Sequence, residues 1–255
     1  MADASYTMTE LMAYAAAREI ENKKSIMVGT GLPIIAAMFA QKTHAPDILI
    51  IFEAGGVGPL IPALPISVGD SRTFYRAVSA YGMLDVMALA QAGYADYGFL
   101  GAAQIDPYGN INTTVIGDHA RPRVRLPGSG GANDFGSLCH RTIIIMRQDK
   151  NKFKEKVDFV TTPGYLDGPG AREKAGLPLG TGPVRVITQL AVYGFDERTK
   201  RLKLRSLHPG VTVEEVQNNS SFEILLPEGE IPATPVPSEE ELAVLRSLDP
   251  AGISI

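Results

Sequence analysis

Residues 47–56 read DILIIFEAGG, and this stretch decides the fold class of the chain. An acid opens it, and five apolar residues follow without interruption. A continuous apolar run of this length is typical of a strand that is buried on both faces, as the strands of a parallel sheet are. The run ends at Glu53, and the small residues that follow predict a sharp change of chain direction.

Helical and extended patterns alternate on both sides of this stretch. Thr7 and Glu10 have the spacing of a capping box, and the apolar residues after them predict an amphipathic helix over residues 8–22. The other predicted elements, in chain order, are strand 25–28, helix 33–41, helix 83–92, strand 97–101, strands 142–146, 157–161 and 185–189, a hairpin over 190–207 and a helix around 238–248. This alternation predicts an α/β fold with a largely parallel sheet, formed by one domain over residues 1–255.

The composition argues against several classes of function. The chain has 255 residues and a formal net charge of -4, and its basic residues are scattered, so we expect no nucleic-acid partner. It has no apolar run near the roughly 20 residues that span a bilayer, so we expect no membrane partner. The N-terminal residues lack the pattern of a signal peptide, and we expect a cytoplasmic protein. None of the 4 histidines has metal-ligand spacing to another or to Cys139, so no metal site is predicted.

Two glycine loops invite other interpretations that their residues do not support. Gly29 and Gly31 resemble the start of a dinucleotide fingerprint, but Ile34 stands where the third glycine belongs. Ser129 lies between glycines, but Pro127 replaces the first glycine of a nucleophile elbow.

A neighbouring cysteine and histidine do not form a catalytic pair in this interpretation. Cys139 and His140 are adjacent, and on a strand they would face opposite sides. We expect Cys139 to be a small buried apolar residue.

Glu53 is the strongest candidate for a reactive group. It follows a strand of the buried type, and ligands of α/β sheets bind at the carboxyl ends of the strands. The alternatives are a solvated acid at a strand end, or an acid that caps a following helix. The position alone leaves these interpretations open.

Several motifs together resemble the β-type subunit of family I CoA-transferases. The motifs occupy residues 26–33, 45–47, 53–55, 67–70, 101–110, 128–133 and 160–170. They occur in one order and spacing over about residues 5–250, and the likeness is greatest to the B subunit of the glutaconate type. The resemblance implies an open, largely parallel α/β sheet with flanking helices.

The resemblance also implies roles for particular residues. Glu53 matches the catalytic glutamate, although Ala54 replaces the small polar residue that usually follows it. The implied oxyanion and CoA-binding positions are Val28, Gly29, Gly31, Gly128, Gly130 and Gly131. The implied positioning residues are Gln104 and Asn133.

The implied activity is transfer of CoA between an acyl-CoA and a carboxylic acid, with a dicarboxylate such as glutaconate as one candidate. The mechanism would be ping-pong, through a glutamyl-CoA thioester on Glu53. CoA would be substrate and covalent intermediate, with no permanently bound cofactor. The implied partner is an α-type subunit in a hetero-oligomer, α2β2 or larger.

Three other functions compete with this interpretation. Relatives of the same fold that have lost the glutamate act as acyl-CoA hydrolases or decarboxylases, and retention of Glu53 favours transfer. A non-catalytic subunit that binds acyl-CoA would leave Glu53 without consequence for turnover. A sugar-phosphate isomerase would need basic phosphate ligands in the glycine loops, and these loops carry none.

Overall fold

The computed structural model describes residues 6–252 and residue 255, which fall into two compact units. Unit 2 comprises residues 102–234, and unit 1 comprises the described residues before and after it. One domain over residues 1–255 stays a prediction. No helix in the described part of the chain has both the length and the apolar character needed to cross a bilayer.

Helices and strands alternate along most of the described chain. The α-helices are α1 (Met8–Ala17), α2 (Leu32–Lys42), α3 (Met83–Gln91), α4 (Ala132–Leu138), α5 (Ala171–Lys174), α6 (Val213–Asn218) and α7 (Glu239–Leu248), and a 3-10 helix covers Ser71–Phe74. The strands are β1 (Ser25–Val28), β2 (Leu49–Ile51), β3 (Gly56–Val57), β4 (Ser79–Ala80), β5 (Tyr97–Gly101), β6 (Gln104–Ile105), β7 (Ile111–Asn112), β8 (Val115–Ile116), β9 (Val124–Arg125), β10 (Arg141–Ile145), β11 (Gly182–Ile187), β12 (Ala191–Phe195) and β13 (Leu202–Leu207).

The strands of unit 1 follow the order β5-β1-β2-β3-β4. β1 pairs in parallel with β2 and with β5, and β3 and β4 add antiparallel pairs. All four residues of β1 are buried, as expected for a strand covered on both faces. The predicted burial of both faces is wrong for Leu49 at the start of β2, which is 36% exposed.

The first helix is shorter than predicted. The prediction of a helix over residues 8–22 is wrong at its end, because α1 stops at Ala17. Residues 18–20 continue in tighter turns, with the Ile20 amide donating to the Ala17 carbonyl at 3.0 Å. Lys23 then takes a positive φ of 61°, which redirects the chain into β1.

A buried acid joins the first and last helices of unit 1. The predicted capping box is confirmed, since the Glu10 carboxylate accepts from the Thr7 amide while the Thr7 hydroxyl accepts from the Glu10 amide. Glu10 also accepts from the Arg246 guanidinium on α7. This hydrogen bond lowers the pKa of Glu10, and burial opposes it without reversing the direction.

We expect Glu10→Gln to lower the free energy of unfolding by about 1–3 kcal/mol at pH 7, because a buried charge-assisted hydrogen bond is lost. The folded-state pKa of Glu10 is lowered, so its contribution is present above the ordinary glutamate pKa of about 4.3 and is lost as the pH falls through the folded value. Urea unfolding should therefore show that the difference in the free energy of unfolding between wild type and variant disappears below about pH 4. The exposed Glu240→Gln is the control, and equal losses for both variants would contradict the assignment.

Unit 2 contains a second group of paired strands. β10 and β11 are parallel, and β11, β12 and β13 pair in antiparallel fashion. The predicted hairpin over 190–207 is confirmed by β12 and β13. β6–β7 and β8–β9 form two further short antiparallel pairs.

The predicted strand over 157–161 is wrong. The Thr161 and Thr162 amides both donate to the Ile111 carbonyl, so this segment makes one isolated bridge instead of a ladder. The side chain of Asp158 holds the segment in another way, because it accepts from the Gly117 amide at 2.8 Å. Side-chain contacts therefore replace strand pairing here.

The predicted burial of Cys139 is confirmed, and Cys139 lies outside any strand. Cys139 has no exposed surface and follows the last residue of α4. Burial raises the pKa of its thiol to about 12. β10 begins only at Arg141, so His140 lies before the strand and is exposed.

Candidate active site

Glu53 lies at the tip of a tight turn between β2 and β3. The Gly55 amide donates to the Phe52 carbonyl at 2.9 Å, which closes a four-residue turn with Glu53 and Ala54 at its centre. The Phe52 amide donates to the Gly56 carbonyl, where β3 begins. The Glu53 side chain is half-buried. A strand and no helix follows Glu53, so this acid does not cap a following helix.

The two glycines after Ala54 allow other backbone segments to close over the turn. A Cβ on Gly55, whose φ is +121°, would lie 1.9 Å from the Tyr81 carbonyl oxygen. A Cβ on Gly56 would lie 2.0 Å from the carbonyl oxygen of Thr73 in the 3-10 helix. The Tyr81 amide donates to the Gly55 carbonyl at 2.9 Å. These contacts hold the turn in one position and with it the backbone of Glu53.

We expect Gly56→Ala to destabilise the chain by about 1–3 kcal/mol, because the added methyl group overlaps the Thr73 backbone. Thermal unfolding should show a melting temperature lower by roughly 2–4 °C per kcal/mol. Gly69→Ala is the matched control, since the nearest atom to its Cβ is Ser67 Oγ at 4.0 Å. If both variants have the melting temperature of the wild type, the close packing of Thr73 against Gly56 does not contribute to stability.

Glu53 and the loop that begins at Gly29 emerge at the same edge of the unit 1 sheet. Met27 of β1 is paired with Ile51 of β2 in the parallel register. β1 ends at Val28 and β2 at Ile51, so the segments that carry Gly29 and Glu53 leave the same edge of the sheet, from strands about 4.8 Å apart. The structure therefore brings together two of the segments that the sequence predicts for the site.

The backbone amides of the loop that begins at Gly29 differ in whether they already donate a hydrogen bond within the protein. The Gly29 amide already donates to the Phe99 carbonyl at 3.0 Å. Gly31 has a φ of +76° and starts α2, with Pro33 in its first turn. In the described structure no acceptor is found for the Gly31 and Leu32 amides. These are the amides that a helix leaves open at its N-terminus, where its dipole favours negative charge.

The predicted loop at 128–131 belongs to unit 2 and is fixed by hydrogen bonds. The Gly128 amide donates to the Thr113 carbonyl at 2.8 Å, and the Thr113 hydroxyl donates to the Gly128 carbonyl at 2.7 Å. Gly128 and Gly130 both have positive φ values, of 96° and 49°. The Ser129 hydroxyl accepts from the Asn133 amide in the first turn of α4, whose N-cap residue is Gly131.

The predicted positioning residues contact protein groups. Gln104 is 3% exposed, and its carbonyl oxygen accepts from the Asn112 side-chain amide at 2.7 Å while its own amide donates to Asp158 at 3.0 Å. The Asn133 side-chain amide donates to the Thr161 carbonyl at 3.0 Å. Gln104 thereby joins β7 to the segment around Asp158, and Asn133 joins α4 to the segment around Thr161.

Sequence reasoning missed two threonines that connect these predicted residues. The Thr161 hydroxyl accepts from the Thr113 amide at 2.9 Å. Thr113 contacts the Gly128 loop, and Thr161 contacts Asn133. Thr161 lies within the motif at residues 160–170, whereas the sequence signal for Thr113 is its adjacency to Thr114, which is too common a feature to single out a site.

A buried acid holds the turn at residues 106–110. The Asp106 carboxylate accepts from the Tyr108 and Asn110 amides and from the Asn110 side chain. Burial raises the pKa of Asp106 to about 6, while these hydrogen bonds act in the opposite direction. The Asn110 side-chain oxygen in turn accepts from the Gly164 and Leu166 amides. This motif therefore has a structural role in unit 2.

The sequence matches the profile of the coenzyme A transferase family over residues 9–219. The chain belongs to the coenzyme A transferase family. The resemblance inferred from its motifs is confirmed. Among its described residues, no three or more His, Cys, Asp or Glu side chains are grouped so that they could hold a metal ion.

Named relatives of this CoA-transferase chain extend over nearly all of it. It is 40% identical over 246 residues to the B subunit of 3-oxoadipate CoA-transferase from Pseudomonas knackmussii, covering 96% of this chain and 94% of the relative. It is also 40% identical over 230 residues to the B subunit of glutaconate CoA-transferase from Acidaminococcus fermentans, covering 88% and 86%.

Two solved structures share the fold. A chain of the crystal structure of glutaconate coenzyme A-transferase from Acidaminococcus fermentans matches with a TM-score of 0.93 and 37% identity, over 99% of this chain and 98% of that one. A chain of the decarboxylase AibA/AibB matches with a TM-score of 0.83 and 25% identity, over 98% of both chains. The predicted α/β fold, with a largely parallel sheet and flanking helices, is confirmed.

Proposed function

We propose that this chain is the B-type, catalytic subunit of a two-subunit CoA-transferase, with Glu53 as its nucleophile. The observation that carries the proposal is the position of Glu53 at the tip of a tight turn, at the same edge of the sheet as the loop that starts α2. A carboxylate in this place can meet a bound substrate, and open amides lie on the adjacent strand connection.

In the proposed reaction, the acyl group and then CoA are attached to Glu53 in successive steps. A Glu53 carboxylate oxygen attacks the thioester carbon, the carbon–sulfur bond breaks, and CoA leaves as the thiolate. The thiolate attacks the glutamyl carbon of the mixed anhydride, the carbon–oxygen bond breaks, and the first acid leaves as a carboxylate. The second acid then reverses both steps. No proton is transferred in this cycle, so an ionised glutamate needs no general base.

Each attack places negative charge on a carbonyl oxygen, which nearby amides can stabilise. We assign this role to the Gly31 and Leu32 amides at the start of α2. Val28 and Gly29 would hold this loop in place through the β1 pairing. The loop formed by Gly128, Gly130 and Gly131, with Gln104 and Asn133 as positioning residues, keeps its predicted role in binding CoA.

The names of the relatives support the choice of partner and substrate. Two relatives at 40% identity are each named as a B subunit, and the decarboxylase is named for two components. We therefore infer an α-type partner in a hetero-oligomer. Glutaconate and 3-oxoadipate both carry two carboxylates. We therefore infer that a dicarboxylic acid accepts CoA, or that its CoA thioester donates CoA. A ping-pong cycle without a permanent cofactor follows from the proposed chemistry.

We expect a covalent CoA adduct on Glu53. Intact-mass analysis of the co-expressed two-subunit enzyme after incubation with acyl-CoA should show a CoA-sized gain on this chain, which hydroxylamine removes. Glu53→Ala should abolish the adduct, and the exposed Glu155→Ala should keep it. An adduct that peptide mapping places on Ser129 or Cys139, or none in an active enzyme, would refute the proposal.

Glu53→Asp should separate transfer from hydrolysis. Aspartate keeps the carboxylate but retracts it by about 1.5 Å, the length of one carbon–carbon bond. Misplacement of about 1 Å costs around 100-fold in a covalent step, so we expect transfer to fall at least that far. The retracted carboxylate can still activate a water molecule, so CoA-ester hydrolysis should persist or rise.

Steady-state assays of transfer and of CoA release on Glu53→Asp and Glu53→Ala decide between these outcomes. Glu53→Ala should lose both activities, because neither nucleophile nor base remains. Near-normal transfer by Glu53→Ala would show that Glu53 is not the nucleophile and is only a solvated acid at a strand end.

A further inference from the structure

Arg172 of α5 is a buried cation that no carboxylate contacts. The residue is 2% exposed, and a guanidinium stays charged at any ordinary pH. Its two terminal nitrogens donate only to neutral groups, the carbonyls of Pro163, Gly164 and Gly136 and the Thr181 hydroxyl. Among the described residues, none forms an ion pair with it. A buried charge without an opposite charge is costly, so this position favours an anion.

One donor of this guanidinium is unused. The Nε atom is buried and has no hydrogen-bond partner in the described part of the chain. Most buried polar groups are hydrogen-bonded, so an unused donor on a buried cation needs an explanation. Burial lowers the pKa of Arg172, and the opposing effects of Tyr165 and Glu173 are smaller. The surrounding protein groups therefore do not fully compensate this charge.

A small pocket lies beside Arg172. Its volume is about 110 Å³, well below the roughly 300–1,000 Å³ of sites for drug-sized ligands. A water molecule takes about 30 Å³ in the liquid, so the pocket has room for a few heavy atoms and not for a nucleotide. Three glycines contribute to its lining, together with Tyr165, Arg172, Glu173, Thr181 and Lys200.

Lys200 brings a second positive charge to this pocket. It lies in the connection between β12 and β13, and its ammonium nitrogen is 5.3 Å from the centre of the Tyr165 ring. In the part of the chain that the structure describes, no acid forms an ion pair with Lys200. Glu173 is the only acid of the lining, and it is exposed, so water and salt screen its charge. The lining therefore carries two cations against one screened acid.

We propose that this pocket binds a small monovalent anion, with the Lys200 ammonium in contact with it and the charge of Arg172 behind it. Chloride and a short carboxylate such as formate share this chemistry and fit the volume. The bound anion compensates the charge of Arg172, whose hydrogen bonds join α4 to the segment at residues 163–164. The proposal concerns unit 2 alone and does not depend on the role of Glu53.

Three substitutions test the charges of the pocket and leave the hydrogen bonds of Arg172 in place. Lys200→Met removes the ammonium group and keeps a side chain of similar length. Glu173→Gln removes the one acid of the lining. Lys174→Met is the control, because Lys174 is an exposed residue of α5 that does not line the pocket. Circular dichroism checks that all three variants fold.

Chloride NMR of the two-subunit enzyme measures binding, because exchange with a bound site broadens the chloride line. We expect saturable broadening in the wild type, which formate reverses and which gluconate, too large for the pocket, does not. Lys200→Met should weaken chloride binding about tenfold or more, since a hydrogen bond to a charged group is lost. Glu173→Gln should strengthen it about two- to fivefold, and Lys174→Met should leave it unchanged.

The competition with formate identifies the ligand class. If formate displaces chloride at concentrations below the dissociation constant of chloride, the pocket prefers a carboxylate, and if higher concentrations are needed, it prefers the halide. The proposal is wrong if the wild type shows no saturable broadening, if gluconate displaces chloride as well as formate does, or if Lys200→Met binds chloride like the wild type.

Discussion

The parallel pairing of β1 with both β2 and β5 is the constraint on which the candidate active site depends. Every residue of β1 is buried, so its register is set by side chains that pack on both faces. That register brings the end of β2 level with the end of β1. The turn that carries Glu53 and the loop that starts at Gly29 therefore leave the sheet side by side. The packing of the unit 1 core thus fixes where these two segments of the site lie.

Glycines serve this chain in physically different ways. Gly55 and Gly56 are required because backbone carbonyls approach where a side chain would stand. Gly31 is required for its conformation, since its φ of +76° is strained for other residues and nothing occupies the space around its missing side chain. Gly194 has an ordinary φ, and the Arg185 guanidinium lies over it, with Nη1 3.6 Å from the place of the missing Cβ. Only the surrounding contacts distinguish these roles.

Unit 2 is held largely by buried polar groups. The Arg172 guanidinium is 2% exposed and donates to the carbonyls of Gly136 and Gly164, among others. Gln104 joins β7 to the segment around Asp158 through its side-chain amide. Buried polar groups that find partners rigidify the segments they connect, and this lets irregular loops keep one conformation without a regular ladder. In the segment predicted as a strand over 157–161, the contacts of Asp158 with Gln104 and with the Gly117 amide take the place of strand pairing.

The sequence by itself determined β1, α2, the helix at α7, the α/β class and the place of Glu53 at a strand end, because these follow from local apolar patterns, caps and turn residues. It also led to the family through the order and spacing of its motifs. Only the tertiary structure decided that Tyr81 closes over the Glu53 turn and that the Gly29 amide is already engaged. These features depend on contacts between residues far apart in the chain, and a local pattern carries no information about which distant backbone group will occupy a given space.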